Sequence, residues 1–204
     1  MKKVLSILSV LAMLAGSASA AGYVLPPYQP GALTPSDWQP TYNVEGLYAI
    51  GEHDVPDAWG VRGSFCLYSA GDGAVLHQFS LNVAGEFGDD STKFAGHKIN
   101  EEMWMLPITA GYDLNLGITD SVYLDLGAKA GWATGNYKAK VHGVEIVDED
   151  FNGFTMGVGA GIKIMCSDRI YLKVGYEFNR TFISDDLGIN ANQHIITAGI
   201  GAQF

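Results

Sequence analysis

The stretch from Gln193 to Phe204, QHIITAGIGAQF, alternates between two kinds of residue with a period of two. The even-numbered positions from Ile196 to Phe204 are apolar, and the odd-numbered positions are mostly small or polar. Successive side chains of an extended strand point to opposite faces, so this pattern predicts a strand with one apolar face. An aromatic residue at the end of such a strand is typical of a membrane barrel, where lipid covers it.

Seven further segments with the same alternation begin at Thr41. Tight turns are expected at residues 70–73, 117–121 and 166–168, and longer polar loops at residues 52–57, 89–98, 141–150 and 184–192. Short turns at one end and longer loops at the other are typical of outer-membrane barrels, with the short turns in the periplasm. The sequence therefore predicts an all-β fold, an eight-stranded antiparallel up-and-down transmembrane barrel spanning residues 41–204.

A soluble barrel of the lipocalin type is the alternative for the same alternation, and it would point its apolar face inward. Here the apolar face is large and aromatic, and the other face is rich in Gly, Ser and Thr, which have too little volume to fill a dry core. Trp59, Trp104 and Trp132 lie toward strand ends, where aromatic girdles contact the membrane interface. The chain has 26 Gly and 17% charged residues among 204. These features favour the membrane barrel.

The first forty residues read as two segments that precede the barrel. Lys2 and Lys3, an apolar run over residues 4–15 and the small residues at 17–20 predict a secretory signal peptide at residues 1–20. Residues 21–40 contain five prolines, which predicts a Pro-rich periplasmic extension that is either unstructured or docked at the barrel mouth through its aromatic residues. Loss of the two lysines takes the net charge from -10 to -12, which argues against nucleic acid as a partner.

The region from Thr41 to Phe204 resembles the small eight-stranded outer-membrane proteins of Gram-negative bacteria. The nearest groups are the opacity-type porin-like proteins and the transmembrane domain of the outer-membrane protein A family. The resemblance is carried by MLPITAGY at residues 105–112, by residues 127–131 leading into Trp132, and by the C-terminal strand. It implies a monomeric barrel in the bacterial outer membrane. Unlike the full-length outer-membrane protein A type, no peptidoglycan-binding domain is expected after this barrel.

The resemblance also implies an assembly signal in the last strand, read by the barrel-assembly machinery. Thr197, Gly199, Ala202 and Phe204 match its pattern of a polar residue, a glycine and two hydrophobic positions. Ala202 stands where the family usually has an aromatic residue. Loss of Phe204 is therefore expected to impair insertion without affecting any recognition loop.

Nine charged residues occupy inward positions of the predicted strands. By counting from the strand ends, we expect four at mid-barrel, four nearer the periplasm and one nearer the outside. In that order they are Glu45, Arg62, Lys129 and Glu177; Asp113, Asp125, Lys163 and Lys173; and Glu86. Neighbouring strands bring Glu45 to Arg62 and Asp125 to Lys163. Because an isolated buried charge is costly, these residues must be paired or hydrated.

Two functions are compatible with such a charged lumen. The first is a lumen closed by salt bridges in a barrel with a structural or surface-interaction role. The second is a narrow small-solute channel in which an ion pair exchanges partners. Eight strands leave an interior just wide enough for side chains, which favours the closed lumen.

An outer-membrane lipid-modifying enzyme is the third candidate, and it would need a histidine near a hydroxyl and an acid. His194 is expected to point inward near the outer rim, with Ser184 as the candidate hydroxyl partner, while His77 is expected on the apolar face. No spacing typical of a metal or cofactor site is present. Cys66 and Cys166 can form a disulfide in the periplasm only if their strands lie close, and the predicted barrel places these strands apart.

The predicted external loops carry clusters of acidic residues. They are either solvated tips or ligands for divalent cations that also bridge lipopolysaccharide phosphates. The same loops would hold any host or extracellular ligand, because recognition favours loops on a rigid scaffold. We therefore expect outer-membrane lipid and lipopolysaccharide as partners, and neither catalytic residues nor a cofactor.

Overall fold

The computed structural model describes residues 41–52, 55–71, 75–94, 97–183 and 190–203. The predicted signal peptide, the predicted Pro-rich extension and Phe204 lie outside these residues. The described chain forms eight strands, which are β1 (Thr41–Gly51), β2 (Ala58–Gly71), β3 (Val75–Phe94), β4 (His97–Thr119), β5 (Val122–Val141), β6 (Val144–Met165), β7 (Ile170–Ile183) and β8 (Asn190–Gln203).

Each strand pairs antiparallel with the next, and β8 pairs with β1 to close the ring. The closing ladder runs from Thr41 opposite Gln203 to Gly51 opposite Gln193. The predicted eight-stranded antiparallel up-and-down barrel is confirmed. Closure leaves no unpaired strand edge along the ring, so the backbone hydrogen bonds are satisfied within the sheet.

The two faces of the strands are arranged as the alternation predicts. In β8, Ile195 and Thr197 point inward and are buried, whereas Ile200 points outward and is half exposed. The exposed large residues form a belt around the barrel that includes Tyr42, Trp59, Phe79, Trp104, Trp132, Phe154 and Tyr176. Such a belt is stable only where lipid covers it.

The two ends of the barrel differ. At the terminal end lie Thr41, Gln203 and the connections after β2, β4 and β6, and these turns are short, as predicted. The other end, which we call the hairpin end, carries the connections after β1, β3, β5 and β7. By the usual arrangement of such barrels, the hairpin end faces outward from the cell.

The predicted long loops at residues 89–98 and 141–150 are wrong. Strand β3 continues to Phe94, and β5 and β6 continue to a two-residue turn at His142 and Gly143. The φ angles of these two turn residues are +52° and +81°, the left-handed conformations of a tight hairpin turn. In this region cross-strand pairs of charged side chains replace the apolar alternation. The polar sequence therefore indicates strands exposed to solvent rather than loops.

Strands β3 to β6 therefore project beyond the other four at the hairpin end. We call residues 89–94, 97–102, 138–141 and 144–150 the projecting sheet. Strands β3 to β6 contain 20, 23, 20 and 22 residues, whereas β1 has 11 and β2, β7 and β8 have 14 each. A membrane crossing needs only about 9–11 residues of strand, so the excess stands outside the bilayer.

Candidate functional site

Arg62 lies at the centre of the first group of lumen charges. Its Nη1 is 3.0 Å from Glu177 Oε2 and 3.5 Å from Glu45 Oε2. Lys129 Nζ approaches Glu177 Oε1 to 2.5 Å. Arg62 and Glu45 are direct partners across β1 and β2, as the sequence predicts. Glu177 thus receives two cations, and the four charges form one chain.

Asp125 holds the second group together, nearer the terminal end. Its carboxylate is 2.5 Å from Lys173 Nζ and 3.5 Å from Lys163 Nζ. Lys173 also lies 3.8 Å from Glu45 Oε1, which joins the two groups. The expected neighbourhood of Asp125 and Lys163 is found. Seven of the nine predicted lumen residues therefore form one continuous ion-pair network, which we call the lumen network.

Glu86 and Asp113 stand beside this network without an ion pair within 4 Å among the described residues. Glu86 is fully buried and accepts a hydrogen bond of 3.2 Å from Gln193 Nε2. Asp113 interacts over a longer range with Lys163 and Lys173. With these two acids included, the lumen holds five acidic and four basic side chains, so it is close to neutral.

The inward glycines of β6 make room for the network. A Cβ atom at Gly157 would lie 3.0 Å from Asn179 Oδ1, 3.1 Å from Glu177 Oε1 and 3.2 Å from Lys129 Cε. Even the methyl group of an alanine would crowd these side chains and require the Lys129–Glu177 pair to shift. The absence of a side chain at Gly157 therefore leaves room for Lys129, Glu177 and Asn179 on the neighbouring strands.

A polar cavity of about 80 Å³ lies among these charges. It reaches from Arg62 and Lys129 to Thr41 and Tyr171 near the terminal end. Several buried polar atoms, including Asn43 Oδ1 and Arg62 Nη2, have no protein hydrogen-bond partner among the described residues. A cavity of this size has room for only a few water molecules, which would hydrate such atoms.

Sequence reasoning missed an apolar layer that fills the lumen toward the hairpin end. Leu47, Met105, Phe151 and Ile195 are inward and at most 5% exposed. The complete layer, as the described residues show it, consists of Leu47, Ala49, Val55, Ala58, Ala84, Met103, Met105, Ala133, Phe151, Ala191 and Ile195. The expectation that the inward face has too little volume for a dry core is therefore wrong for this half of the barrel.

The signal for the apolar layer was present in the sequence. Met103, Trp104, Met105 and Leu106 are consecutive, so both faces of β4 are apolar there. A continuous apolar run is typical of a strand buried on both sides. Val55 joins the layer from the connection between β1 and β2, where no alternation could reveal it.

The projecting sheet is held together by side-chain ion pairs between its strands. Lys138 Nζ lies 2.8 Å from Asp148 Oδ2, and Lys140 Nζ lies 2.9 Å from Glu102 Oε2. Tyr137 donates a hydrogen bond of 2.7 Å to Glu101. Cross-strand pairs of opposite charge add modestly to antiparallel backbone ladders, so these contacts support the ladders that already hold the projecting strands together.

The Lys138–Asp148 pair should make the hairpin between β5 and β6 sensitive to acid. The hydrogen bond from Lys138 lowers the pKa of Asp148, aided by Asn136, and Asp148 in turn raises the pKa of Lys138. Because the folded pKa of Asp148 is depressed, its contribution is present above the ordinary pKa of aspartate, about 3.9, and is lost as the pH falls through the depressed value.

Amide hydrogen exchange at residues 138–148 should therefore accelerate at acid pH more in the wild type than in Asp148→Asn, after correction for intrinsic exchange. Glu149→Gln serves as the control, since Glu149 is the next residue and points to the other face of the strand. Identical pH profiles of the wild type and Asp148→Asn would contradict the role of this pair.

His194 does not point into the lumen, so the predicted inward position is wrong. It shares the outward face of β8 with Ile196, and its Nε2 lies 2.7 Å from Glu52 Oε1. Its Nδ1 lies 2.5 Å from the hydroxyl of Tyr176 on β7. The prediction assigned His194 to the wrong face of the strand, because even-numbered residues of β8 face outward. Ser184, the hydroxyl considered as its partner, lies outside the described residues.

The other residues singled out in the sequence occupy separate places. His77 faces outward and its Nδ1 lies 2.6 Å from the hydroxyl of Tyr112. Cys66 is buried in the lumen wall and Cys166 lies at the terminal-end turn, and both are free thiols. No group of three or more His, Cys, Asp or Glu side chains that could hold a metal ion occurs in the part of the chain that the structure describes.

Three of the four predicted assembly-signal residues are described, all in β8. Thr197 and Gly199 face inward, and Gly199 pairs with Glu45 across the closing ladder. Ala202 pairs with Tyr42 and Ile170 near the terminal end. Among the described residues there is no helix long and apolar enough to cross a membrane.

Solved structures with the same fold include several outer-membrane barrels. Neisserial surface protein A has 16% identity and a TM-score of 0.50, with 82% of this chain and 97% of that chain covered. The outer membrane enzyme PagL has 11% identity and a TM-score of 0.52, with 77% and 97% covered. Ail, the attachment invasion locus protein of Yersinia pestis, has 14% identity and a TM-score of 0.47, with 82% and 97% covered.

At these identities the likeness shows the fold alone. No curated protein matches the sequence. The family model of the outer membrane protein beta-barrel domain matches residues 6–204, which is nearly the whole chain. With the closed ring and the lipid-facing belt, this match places the protein in the bacterial outer membrane, and the chain belongs to the family of outer membrane protein beta-barrel domains.

Proposed function

We propose that the protein is a barrel with a closed lumen that acts through its external surface. The observation that carries the proposal is the projecting sheet, which extends four strands well beyond the length that a bilayer requires. Extra strand outside the membrane adds nothing to a transport path, but it gives a rigid surface for contact with other molecules.

The interior supports the closed lumen. The apolar layer closes the hairpin half with side chains that are at most 9% exposed, and the lumen network fills the terminal half with paired charges. An ion crossing the barrel would have to leave water at the apolar layer, which is unfavourable without paired or coordinating groups. A small-solute channel is therefore the less favoured function.

The charge of the projecting sheet indicates what it would contact. Its four segments contain the acidic residues Asp89, Asp90, Glu101, Glu102, Glu145, Asp148, Glu149 and Asp150, and the basic residues Lys93, Lys98, Lys138 and Lys140. Eight acids against four lysines give a negative surface. Complementary potentials favour association, so the partner that fits is a basic protein surface.

Shortening the hairpins tests this proposal. A variant with the β3–β4 and β5–β6 hairpins cut back to the rim and closed by Asn-Gly turns should still fold, because the ring and both interior layers stay intact. Wild-type protein in nanodiscs should bind cytochrome c, a basic probe, in a salt-dependent manner, and the trimmed variant should not. Equal binding by both proteins would contradict the proposal.

An enzymatic function is the remaining alternative, and the cluster of Glu52, His194 and Tyr176 bears on it. This cluster has an acid and a hydroxyl on either side of an imidazole, but the hydroxyl is a phenol. The cluster also links β8 to the start of the β1–β2 connection. A backbone hydrogen bond of 3.0 Å from Glu52 N to the Asn192 carbonyl lies at the same place. We propose a structural role for it, so purified protein should release no fatty acid from lipopolysaccharide. Release that is abolished by His194→Asn would overturn this assignment.

The same proposal includes a monomeric state and assembly by the barrel-assembly machinery through β8. The closed ring supports a monomer because the barrel has no free strand edge at the level of the membrane for a second copy. The predicted signal peptide and the Pro-rich periplasmic extension belong to the same proposal. Light scattering in detergent with correction for bound detergent would give the mass of one chain if the monomer is correct.

A further inference from the structure

The projecting sheet has an open edge along β3. The ladder between β2 and β3 ends at the pair of Ala58 and Gly88, whereas the ladder between β3 and β4 continues to the pair of Phe94 and His97. Over residues 89–94, β3 is therefore paired on one side only among the described residues. At such an edge, alternate backbone N–H and C=O groups point away from the sheet and can bond to another strand.

The direction of the backbone shows which groups of β3 face the open edge. The carbonyl of Gly85 points to Gly60 on β2, and every second residue of a strand turns its N–H and C=O to the same side. Ser91 follows Gly85 by six residues, so its N–H and C=O face the side that β2 no longer covers. Ser91 N donates to Oδ1 of the adjacent Asp90 at 2.6 Å, a local acceptor in the place of a neighbouring strand.

No other described strand pairs with this edge. The nearest gap in the described chain lies between Glu52 and Val55, and a backbone hydrogen bond of 3.4 Å from Val55 N to Glu52 O closes it. Its two residues are too few to run along six residues of β3. The gap between Ile183 and Asn190 connects β7 to β8, which β1 and β2 separate from β3. Residues 1–40 lead into β1 at the terminal end, the opposite end of the barrel.

The side chains across the projecting sheet indicate which kind of strand fits the edge. On the outward face, directly opposed residues of β6, β5, β4 and β3 form one row, and in that order they are Asp148, Lys138, Glu102 and Asp89. The charges alternate in sign until Glu102 and Asp89, where two acids face each other. On the inward face, Asp90 is likewise opposite Glu101. Like charges in directly opposite positions are unfavourable, and a cation beyond β3 would offset their repulsion.

The sheet does not supply this cation to Asp89. Lys140 Nζ lies 3.0 and 2.9 Å from the two carboxylate oxygens of Glu102, and no ion pair to Asp89 occurs among the described residues. Lys93 is four positions further along β3, about 13 Å away in an extended strand, too far for a direct ion pair. The vacant position opposite Asp89 is therefore complementary to a basic side chain on an added strand.

The other edge of the projecting sheet is less suited to pairing. The part of β6 that precedes Gly153 pairs with β5 alone among the described residues, but a register shift near Ile146 interrupts it. Such a bulge bends an edge strand and discourages the addition of another strand. In contrast, the register of β3 with β4 has no shift from Glu86 to Phe94.

We propose that the open edge of β3 at residues 89–94 binds an extended segment of a partner protein as an added strand, with basic side chains beside Asp89 and Asp90. Backbone hydrogen bonds supply the affinity, and the acids select a basic segment over an acidic one. The inference rests on the proposed function of the projecting sheet. It assigns the contact to one edge of that sheet and an extended conformation to the bound segment.

A basic peptide tests this edge with wild-type protein in nanodiscs. The probe is a fluorescent eight-residue peptide of alternating lysine and threonine, and its control is the same peptide with N-methyl groups on the four central residues. N-methylation keeps the charge and removes the backbone donors. The unmethylated peptide should bind and slow amide hydrogen exchange at residues 89–94. The control should bind about tenfold more weakly, as expected for the loss of one or two backbone hydrogen bonds.

Three variants separate the backbone from the charge. Ser91→Pro keeps the charge and removes one N–H of the open edge, so it should weaken binding of the unmethylated peptide about as much as N-methylation does. Asp89→Asn should also weaken binding of that peptide. Asp150→Asn removes the same charge near the other edge of the projecting sheet and should bind the peptide like the wild type.

Equal affinity of the wild type for the two peptides, or equal binding by folded Asp89→Asn and Asp150→Asn, would overturn the inference. If the wild type binds cytochrome c but the peptide leaves exchange at residues 89–94 unchanged, the edge is wrong while the role of the projecting sheet stands. If it binds neither probe, both are wrong. Protection of residues 89–94 without peptide, rising with protein concentration, would assign the edge to a second copy of the chain and also overturn the inference.

Discussion

Replacing Arg62 with alanine is expected to lower the free energy of unfolding by about 3 kcal/mol, the lower end of the range for breaking a buried ion pair. The substitution removes the cation that Glu45 and Glu177 share and leaves a cavity in the lumen. Lys129 and Lys173 still neutralise part of the two carboxylates, which keeps the loss at the lower end. Urea unfolding in lipid vesicles, followed by migration on a gel without boiling, would measure it.

Arg169→Ala is the matched control for Arg62→Ala, because Arg169 is exposed in the terminal-end turn. It should change the free energy of unfolding by no more than about 0.5 kcal/mol. Arg62→Ala should not conduct ions, because the apolar layer remains intact. If Arg62→Ala were as stable as Arg169→Ala, the lumen network would not be a structural element. If it gained conductance, the ion pairs rather than the apolar layer would be the barrier.

Replacing Phe151 with alanine should also cost about 3 kcal/mol, in the range for large-to-small substitutions in a core. Phe151 is 3% exposed and lies inside the apolar layer, so its loss leaves a cavity that the rigid ring cannot close. Phe154 is three residues further along β6, points outward and is 42% exposed. Phe154→Ala should cost about 1 kcal/mol, because lipid fills the space that the ring leaves.

The comparison of these two phenylalanines tests whether the hairpin half of the lumen is dry. The same urea titration in vesicles applies to both variants. A smaller loss for Phe151→Ala than for Phe154→Ala would mean that water already occupies this half of the lumen. The apolar layer would then not be a closed barrier.

The alternation of side chains was sufficient to predict the ring, because its period identifies both the strands and the face that each side chain occupies. The partners of the central charges also followed, since adjacent strands bring Glu45 to Arg62 and Asp125 to Lys163. Position within a strand is a local property of the chain, so the sequence alone contains it.

Other features depend on contacts between strands that are distant in the sequence, so the alternation of side chains could not predict them. The junction of the two ion-pair groups at Glu45 depends on Lys173, which is on a strand that does not neighbour β1. The apolar layer draws residues from seven strands and one connection, and only its part in β4 is visible in the sequence as a continuous apolar run. The projecting sheet was mistaken for loops because its strands are stabilised by Lys138–Asp148 and similar pairs instead of apolar alternation.

Single-channel recording in planar bilayers tests the central claim, the closed lumen, most directly. The proposed closed lumen predicts that wild-type protein, inserted and shown to be folded by its heat-modifiable migration, gives no conductance above the bilayer background at either polarity. The apolar layer and the lumen network both account for that result. Steady, discrete conductance steps from the folded wild-type barrel would contradict it.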